Sequence, residues 1–147
     1  MAWEISVRER IRAPQSTVWD VVTGFESYPE WNPTLTRVRG TPELGERLRV
    51  RLALPSGVRV PFVATVTVLD PERELRWSTG LPSTGAVDAD HAFLIEPDGD
   101  GVVFEQRERF EGALAEPLLG RLSGDVRAGF EAMNEALRAR AETRTAE

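Results

Sequence analysis

The sequence predicts an α+β chain: a strongly bent antiparallel sheet of six or seven strands wrapped around a long C-terminal helix, with two short helices after the first strand. Three observations lead there. Apolar and polar residues alternate with a period of two in segment after segment, and no helical stretch separates the later segments, which excludes a parallel α/β sheet. The last thirty or so residues carry apolar side chains at spacings of three and four. Between the first strand and the rest lie a short helical stretch and the proline-bounded run Tyr28-Pro29-Glu30-Trp31-Asn32-Pro33.

The elements follow in order. Trp3, Ile5, Val7 and Ile11 alternate with Glu4, Ser6, Arg8, Arg10 and Arg12, giving a half-buried strand. Pro14 suits a helix's first turn, Val18, Trp19, Val21 and Val22 supply an apolar side, and Gly24 ends it. The run from Tyr28 to Pro33 reads as a rigid elbow, because each proline fixes its own φ and restricts the residue before it. Leu35 to Val38 suits a short strand, Gly40 to Glu46 a turn, and Leu48, Val50, Leu52 and Leu54 a second alternation closed by Pro55-Ser56-Gly57. Val58, Val60, Phe62, Ala64, Val66 and Val68 share one face of the next strand, and Asp70-Pro71 reverses the chain. Leu75, Trp77 and Thr79 continue the inner face. Pro97-Asp98-Gly99-Asp100-Gly101 joins a strand near Val87 to Glu96 with another from Val102 to Glu111. The final helix carries Leu118, Leu122, Val126, Phe130, Met133 and Leu137 along one stripe. Gly120, Gly124 and Gly129 interrupt it, each at a cost of up to about 1 kcal/mol against alanine. Either the helix bends near them or a close approach needs the missing side chains, and both leave room beneath. Thr143 to Glu147 is expected to be a disordered tail of a single domain spanning residues 1–147.

Composition excludes several chemistries. With no cysteine there are no disulfides, thiolate nucleophiles or cysteine metal sites. All 18 basic residues are arginine, which excludes lysine Schiff-base chemistry. The single histidine, His91, does not make a multi-histidine metal site, and neither metal nor cofactor is expected. A net charge of −6 argues against a nucleic-acid partner. Arg47, Arg49 and Arg51 alternate along one strand and read as the solvated face of an edge-prone strand rather than as a phosphate or anionic-lipid patch. No signal peptide and no membrane-spanning run are apparent, so a cytoplasmic protein, monomer or homodimer, is expected.

The elbow with Trp31-Asn32-Pro33, the stretches His91-Ala92-Phe93 and Glu108-Arg109-Phe110-Glu111-Gly112, and the tail Gly129-Phe130-Glu131-Ala132-Met133-Asn134 resemble the polyketide cyclase/dehydrase-like members of the START and Bet v 1-like (SRPBCC) superfamily, over nearly the whole chain. The resemblance implies the helix-grip fold and a hydrophobic small-molecule partner, aromatic, polyketide or acyl and lipid-like, held in an internal cavity between the last helix and the sheet. The wall expected on that basis comprises Phe25, Tyr28, Trp31, Phe62, Trp77, Phe93, Phe104, Phe110, Leu118, Leu122, Phe130 and Met133, all of which serve equally well as ordinary core.

Polar residues on the inner face are more informative, because burying them without partners is costly. If the last hairpin turns at Asp98-Gly99, His91 lies opposite Gln106 and one diagonal step from Glu108. That cluster suits either a ligand's polar end or a structural pair. Asn32 is a further candidate, with capping of the loop as the plainer role. In the cyclases and aromatases that the chain resembles, such groups orient a poly-β-ketone and assist enolisation. His91 as general base with Glu108 as orienting partner is therefore the alternative to plain binding, with Tyr28, Asp88 and Asp90 as further acid–base candidates, and a protein-interaction module is the third reading. The inward arginine of those enzymes is not matched, since Arg109 has outward parity if Glu108 points in.

Overall fold

The computed structural model describes residues 3–80, 88–113 and 115–147, without the side chains of Glu116, Leu118 and Leu119. The expectations at Leu118 and Val87 therefore lie outside the described residues. Seven strands form one antiparallel sheet: β1 (Trp3–Ile11), β2 (Leu35–Arg39), β3 (Arg47–Ala53), β4 (Arg59–Asp70), β5 (Glu74–Gly80), β6 (Asp88–Asp98) and β7 (Gly101–Glu111). Their order is β1-β7-β6-β5-β4-β3-β2, so every sequential pair after β2 is a neighbour and only β1 crosses over, to lie beside β7. That crossover is what α1 (Gln15–Thr23), a 3₁₀ turn (Phe25–Ser27) and α2 (Tyr28–Trp31) accomplish. The sheet curls around α3 (Ala115–Ala146), as the alternation and the helical stripe predict. Among the described residues no helix is long and apolar enough to cross a membrane.

Four local expectations change. The last hairpin turns at Gly99-Asp100, with Asp98 paired to Gly101, because Gly99 takes a φ of 60° at the first loop position, as a II′ turn requires. A register shift between Val66 and Val68 moves Val68 opposite Arg76 and out of the inner face. The strand with Arg47, Arg49 and Arg51 is not the edge, since β2 covers it. The expected tail is helical through Ala146, its last turn tied by the Thr145 hydroxyl to the Ala141 carbonyl.

α3 is continuous, and its glycines play different parts from those expected. Gly120 and Gly124 are exposed, and a side chain at either would meet nothing, so they leave no room beneath the helix. Gly129 is the close approach. A Cβ there would sit 3.2 Å from Leu54 and 3.3 Å from Thr34, and the Thr34 hydroxyl donates to the Gly129 carbonyl at 2.6 Å. Two apolar clusters result. The larger joins α1, the elbow, the middle of the sheet and the C-terminal half of α3 through Met133, Leu137 and Ala141. The smaller holds Ile5, Val7, Leu54, Val126 and Phe130, with half-buried Leu52, Val58, Phe110 and Leu122 around it.

Candidate functional site

Parity on β6 and β7 turns His91, Phe93, Phe104, Gln106, Glu108 and Phe110 toward α3. With the turn at Gly99-Asp100, His91 faces Glu108 directly and Gln106 pairs with Phe93, one step from the expected register. The cluster forms all the same, because a side chain also reaches its diagonal neighbour. His91 Nε2 lies 3.1 Å from Gln106 Oε1, and His91 Nδ1 lies 3.5 Å from Glu108.

A residue not singled out from the sequence completes the arrangement. Asn134 on α3 is buried, donates from Nδ2 to the Val7 carbonyl at 3.2 Å and accepts from Gln106 Nε2 at 2.6 Å. Gln106 Nε2 also donates to the Phe130 carbonyl at 3.2 Å. Backbone carbonyls only accept, so both amide orientations are fixed by their partners. Gln106 Oε1 must then face His91, and His91 Nε2 must carry the hydrogen. In the neutral ring Nδ1 is left as a lone pair on the side of the Glu108 carboxyl. The signal for Asn134 was present in the sequence: an amide beside Met133 and four residues after Phe130, on an otherwise apolar stripe.

His91 is enclosed by rings. It stacks on Phe93 with centroids 4.2 Å apart and lies 4.9 Å from Phe130 and 5.8 Å from Trp77. Trp77 in turn sits 4.9 Å from Phe93 and 6.3 Å from Phe25. Phe25, Tyr28, Trp77, Phe93, Phe104, Phe130 and Met133 are all buried, and at this level rings occupy the space between helix and sheet. Five of the concave surfaces among the described residues have volumes between about 320 and 1150 Å³, and none of these five is lined by His91, Gln106, Glu108, Phe110, Leu122, Phe130 or Met133. The interior loosens at the other end. Glu108 has a side chain 13 % exposed, and Phe62, Thr79, Ala89, Phe110 and Leu122 are half-buried. The β3–β4 hairpin flanks this end, latched to α3 where Ser56 donates from its backbone N–H and its hydroxyl to Asp125. Trp77 Nε1 is buried without a hydrogen-bond partner among the described residues.

The elbow is elsewhere. Trp31 packs on the larger cluster and edge-on against Tyr28 at 5.2 Å, and its neighbour Glu30 meets Arg140 near the helix C-terminus. Asn32 takes the plainer role: Oδ1 accepts from the Thr34 and Leu35 backbone N–H groups at 3.0 and 2.9 Å. Tyr28 is removed from the acid–base candidates, since burial pushes its phenol far up and its hydroxyl donates to the Val22 carbonyl. Asp90 points outward to Arg76 at 2.7 Å, Asp88 shares that outward parity, and Arg109 is exposed beside Glu111, outward as parity predicts. No three His, Asp or Glu side chains among the described residues converge as a metal site would require.

The family described as polyketide cyclase/dehydrase and lipid transport matches residues 2–142. No curated protein sequence matches. Among solved structures, the di-domain ARO/CYC StfQ of the steffimycin biosynthetic pathway superposes with a TM-score of 0.78 at 14% identity, over 100% of this chain and 53% of that one. The chain thus spans about half the length of that protein. A norcoclaurine synthase point mutant from Thalictrum flavum, in complex with a transition-state analogue, gives 0.74 at 14% identity over 98% and 96%. Ara h 8.0201 gives 0.72 at 13% identity over 97% and 99%. Likeness at such identities carries the fold alone.

Proposed function

This chain belongs to the polyketide cyclase/dehydrase and lipid transport family, and from that premise we propose that it binds a small hydrophobic molecule bearing one polar group, of aromatic, polyketide or acyl type, at the loose end of the space between α3 and the sheet. The observation that carries this reading is Glu108. It is a carboxyl group on the helix-facing side, mostly buried beside Phe110, and its ion-pairing neighbour among the described residues is only a histidine, at 3.5 Å. A carboxylate so placed is costly unless something donates to it, and a ligand hydroxyl would do so. Leu122 and Phe110 offer apolar area for the rest of such a molecule.

A second reading is favoured by the relay that fixes the hydrogen on His91 Nε2. Glu108, the more exposed of the pair, would meet a bound β-hydroxy ketone, with His91 Nδ1 behind it at 3.5 Å. Its carboxylate would take the α-proton, the C–O bond to the β-hydroxyl would break as the double bond forms, and the same proton would leave with that hydroxyl as water. His91 would act through Glu108, the reverse of the roles expected from sequence.

The test is native mass spectrometry of chain purified from its own host, together with titration by 2-naphthol followed through tryptophan fluorescence. One bound small molecule and saturable naphthol binding, weakened at least about tenfold by Glu108→Leu and little by Glu108→Gln, are expected. No bound mass and no saturation would overturn the binding reading. Binding intact in Glu108→Gln with loss of water release from a β-hydroxy ketone would favour the enzyme.

A further inference from the structure

We propose that the outer face of β2, β3 and β4 is a docking groove for an acidic amphipathic helix of a partner protein. The inference is independent of the ligand site, which lies on the other side of the sheet. It starts from the distribution of arginines. Elsewhere on the surface, Arg8, Arg10, Arg76, Arg107, Arg109 and Arg138 each meet a carboxylate within 3.2 Å, and the others that meet none among the described residues, Arg12, Arg73, Arg121, Arg127 and Arg144, are dispersed over two turns and α3 rather than gathered on one face. On this face Arg37, Arg39, Arg47, Arg49, Arg51 and Arg59 are all exposed, and none meets a carboxylate among the described residues. The register makes the concentration costly. Arg37 stands opposite Arg51 and Arg39 opposite Arg49, and like charges directly opposite on neighbouring strands destabilise a sheet. A chain with 24 acidic residues and a net charge of −6 could have neutralised them.

Shape narrows the partner. Arg37, Arg39, Arg49 and Arg51 line a groove of about 330 Å³ whose outward-facing apolar lining is Pro61 and Val63, and which contains no carboxylate. Val63 is 43 % exposed and lies opposite Arg49, while Pro61 lies opposite Arg51, so two rows run from charge at the sheet edge to apolar surface further in. A helix with an acidic face and an adjoining apolar stripe has that profile. Alternate residues along β3 are about 6.6 Å apart, and helix positions i and i+4 are about 6 Å apart along the axis, so successive carboxylates can each take one guanidinium of the Arg47-Arg49-Arg51 series. Guanidinium–carboxylate pairs are bidentate, which suits an all-arginine array. A flat bilayer would engage the concave groove poorly and bring the acidic remainder of the chain toward its own charge.

The test uses the whole chain and a fluorescein-labelled helical peptide with glutamates at i, i+4 and i+8 and a leucine stripe, read by anisotropy. Binding should fall with added salt and be absent for the peptide with glutamine in place of glutamate. Arg49→Glu should weaken it at least about tenfold, whereas Arg121→Glu on α3 should leave it unchanged. Arg49→Glu also replaces a like-charge pair with an opposite-charge one, so its melting temperature should hold or rise, which separates lost docking from lost fold. Equal affinity for the glutamine peptide, or unchanged binding by Arg49→Glu, would overturn the proposal. So would sedimentation with phosphatidylglycerol vesicles in the absence of peptide binding, which would make the face a lipid surface instead.

Discussion

The two ends of the space between α3 and the sheet are built from the same helix and the same strands, yet they are finished differently. At the elbow end, Phe25, Tyr28, Trp77, Phe93, Phe104, Met133 and Leu137 fill the volume, and even the phenol of Tyr28 is retained by a carbonyl. At the other end Phe62, Phe110 and Leu122 remain half-buried around a carboxylate. The boundary is the relay from Val7 through Asn134 and Gln106 to His91, which seals the filled half with satisfied hydrogen bonds and presents one unsatisfied relation, His91 to Glu108, to the other half. The difference teaches that stability and recognition here are segregated along the helix axis rather than mixed around one central cavity.

Substitution at the two ends should separate these roles most strongly. Trp77→Ala removes the largest fully buried side chain and should cost about 3–5 kcal/mol in urea denaturation. Phe110→Ala, at a half-buried position, should cost no more than about 1.5 kcal/mol while weakening naphthol binding. Equal losses of stability would erase the distinction between the ends.

Breaking the boundary comes next. Asn134→Leu leaves the Val7 carbonyl without its amide donor and deprives Gln106 Nε2 of its 2.6 Å acceptor, at about 1–3 kcal/mol. Its more specific consequence is for His91. Nitrogen NMR of the unaltered chain should show the hydrogen on Nε2, and the variant, with Gln106 held only by the longer bond to the Phe130 carbonyl, should show a larger share of the other tautomer. A single unchanged tautomer would mean the relay does not orient the ring.

Much of this was legible in the sequence, and the failures have identifiable causes. The alternation in Trp3 to Ile11 and the stripe from Leu122 to Leu137 were enough for the curled sheet and its helix, because burial of one face dictates each period. The hairpin between β6 and β7 was read one step off, since Asp-Gly-Asp-Gly offers two adjacent turns and only backbone geometry chooses between them. The cluster of His91, Gln106 and Glu108 survived that error because moving the turn by one residue changes the paired sum by two, which keeps every residue on its face and leaves the cluster within diagonal reach. Asn134 was missed because a single amide on an apolar stripe resembles ordinary solvent-facing decoration until its partners on β1 and β7 are known. Gly120, Gly124 and Gly129 look alike in sequence, yet only the last approaches another segment.

Two carboxylates on β7 sharpen the comparison further. Glu105, on the outer side, accepts from Ser6, Arg8 and Arg107, whereas Glu108 faces a histidine. Burial works to raise the Glu105 pKa, but the hydrogen bonds from Ser6, Arg107 and Arg8 together outweigh it and hold the group below its ordinary value. A carboxyl depressed in the folded state contributes stability above its unfolded pKa of about 4.3, and that contribution is lost as pH falls through the folded value. Glu105→Gln should therefore cost about 1–2 kcal/mol at neutral pH and little in strong acid, flattening part of the acid limb of stability. A constant cost across the pH range would assign Glu105 a packing role only.

The smallest expected effect bears on why the loose end is loose. Gly124 is exposed on the helix stretch that passes the half-buried Leu122, and a methyl group there would touch nothing. Gly124→Ala should then raise stability by about 0.5–1 kcal/mol, through helix propensity and reduced freedom of the unfolded chain. If the loose end is a static feature of packing, naphthol affinity and its association rate should not change. If the N-terminal part of α3 must yield for a ligand to enter, the same substitution should slow association by the factor that its stabilisation implies, about two- to fivefold, while the helix-end substitution Thr143→Ala leaves that rate alone. Measuring rate and stability on the same variant decides between a preformed opening and one that the glycines allow the helix to make.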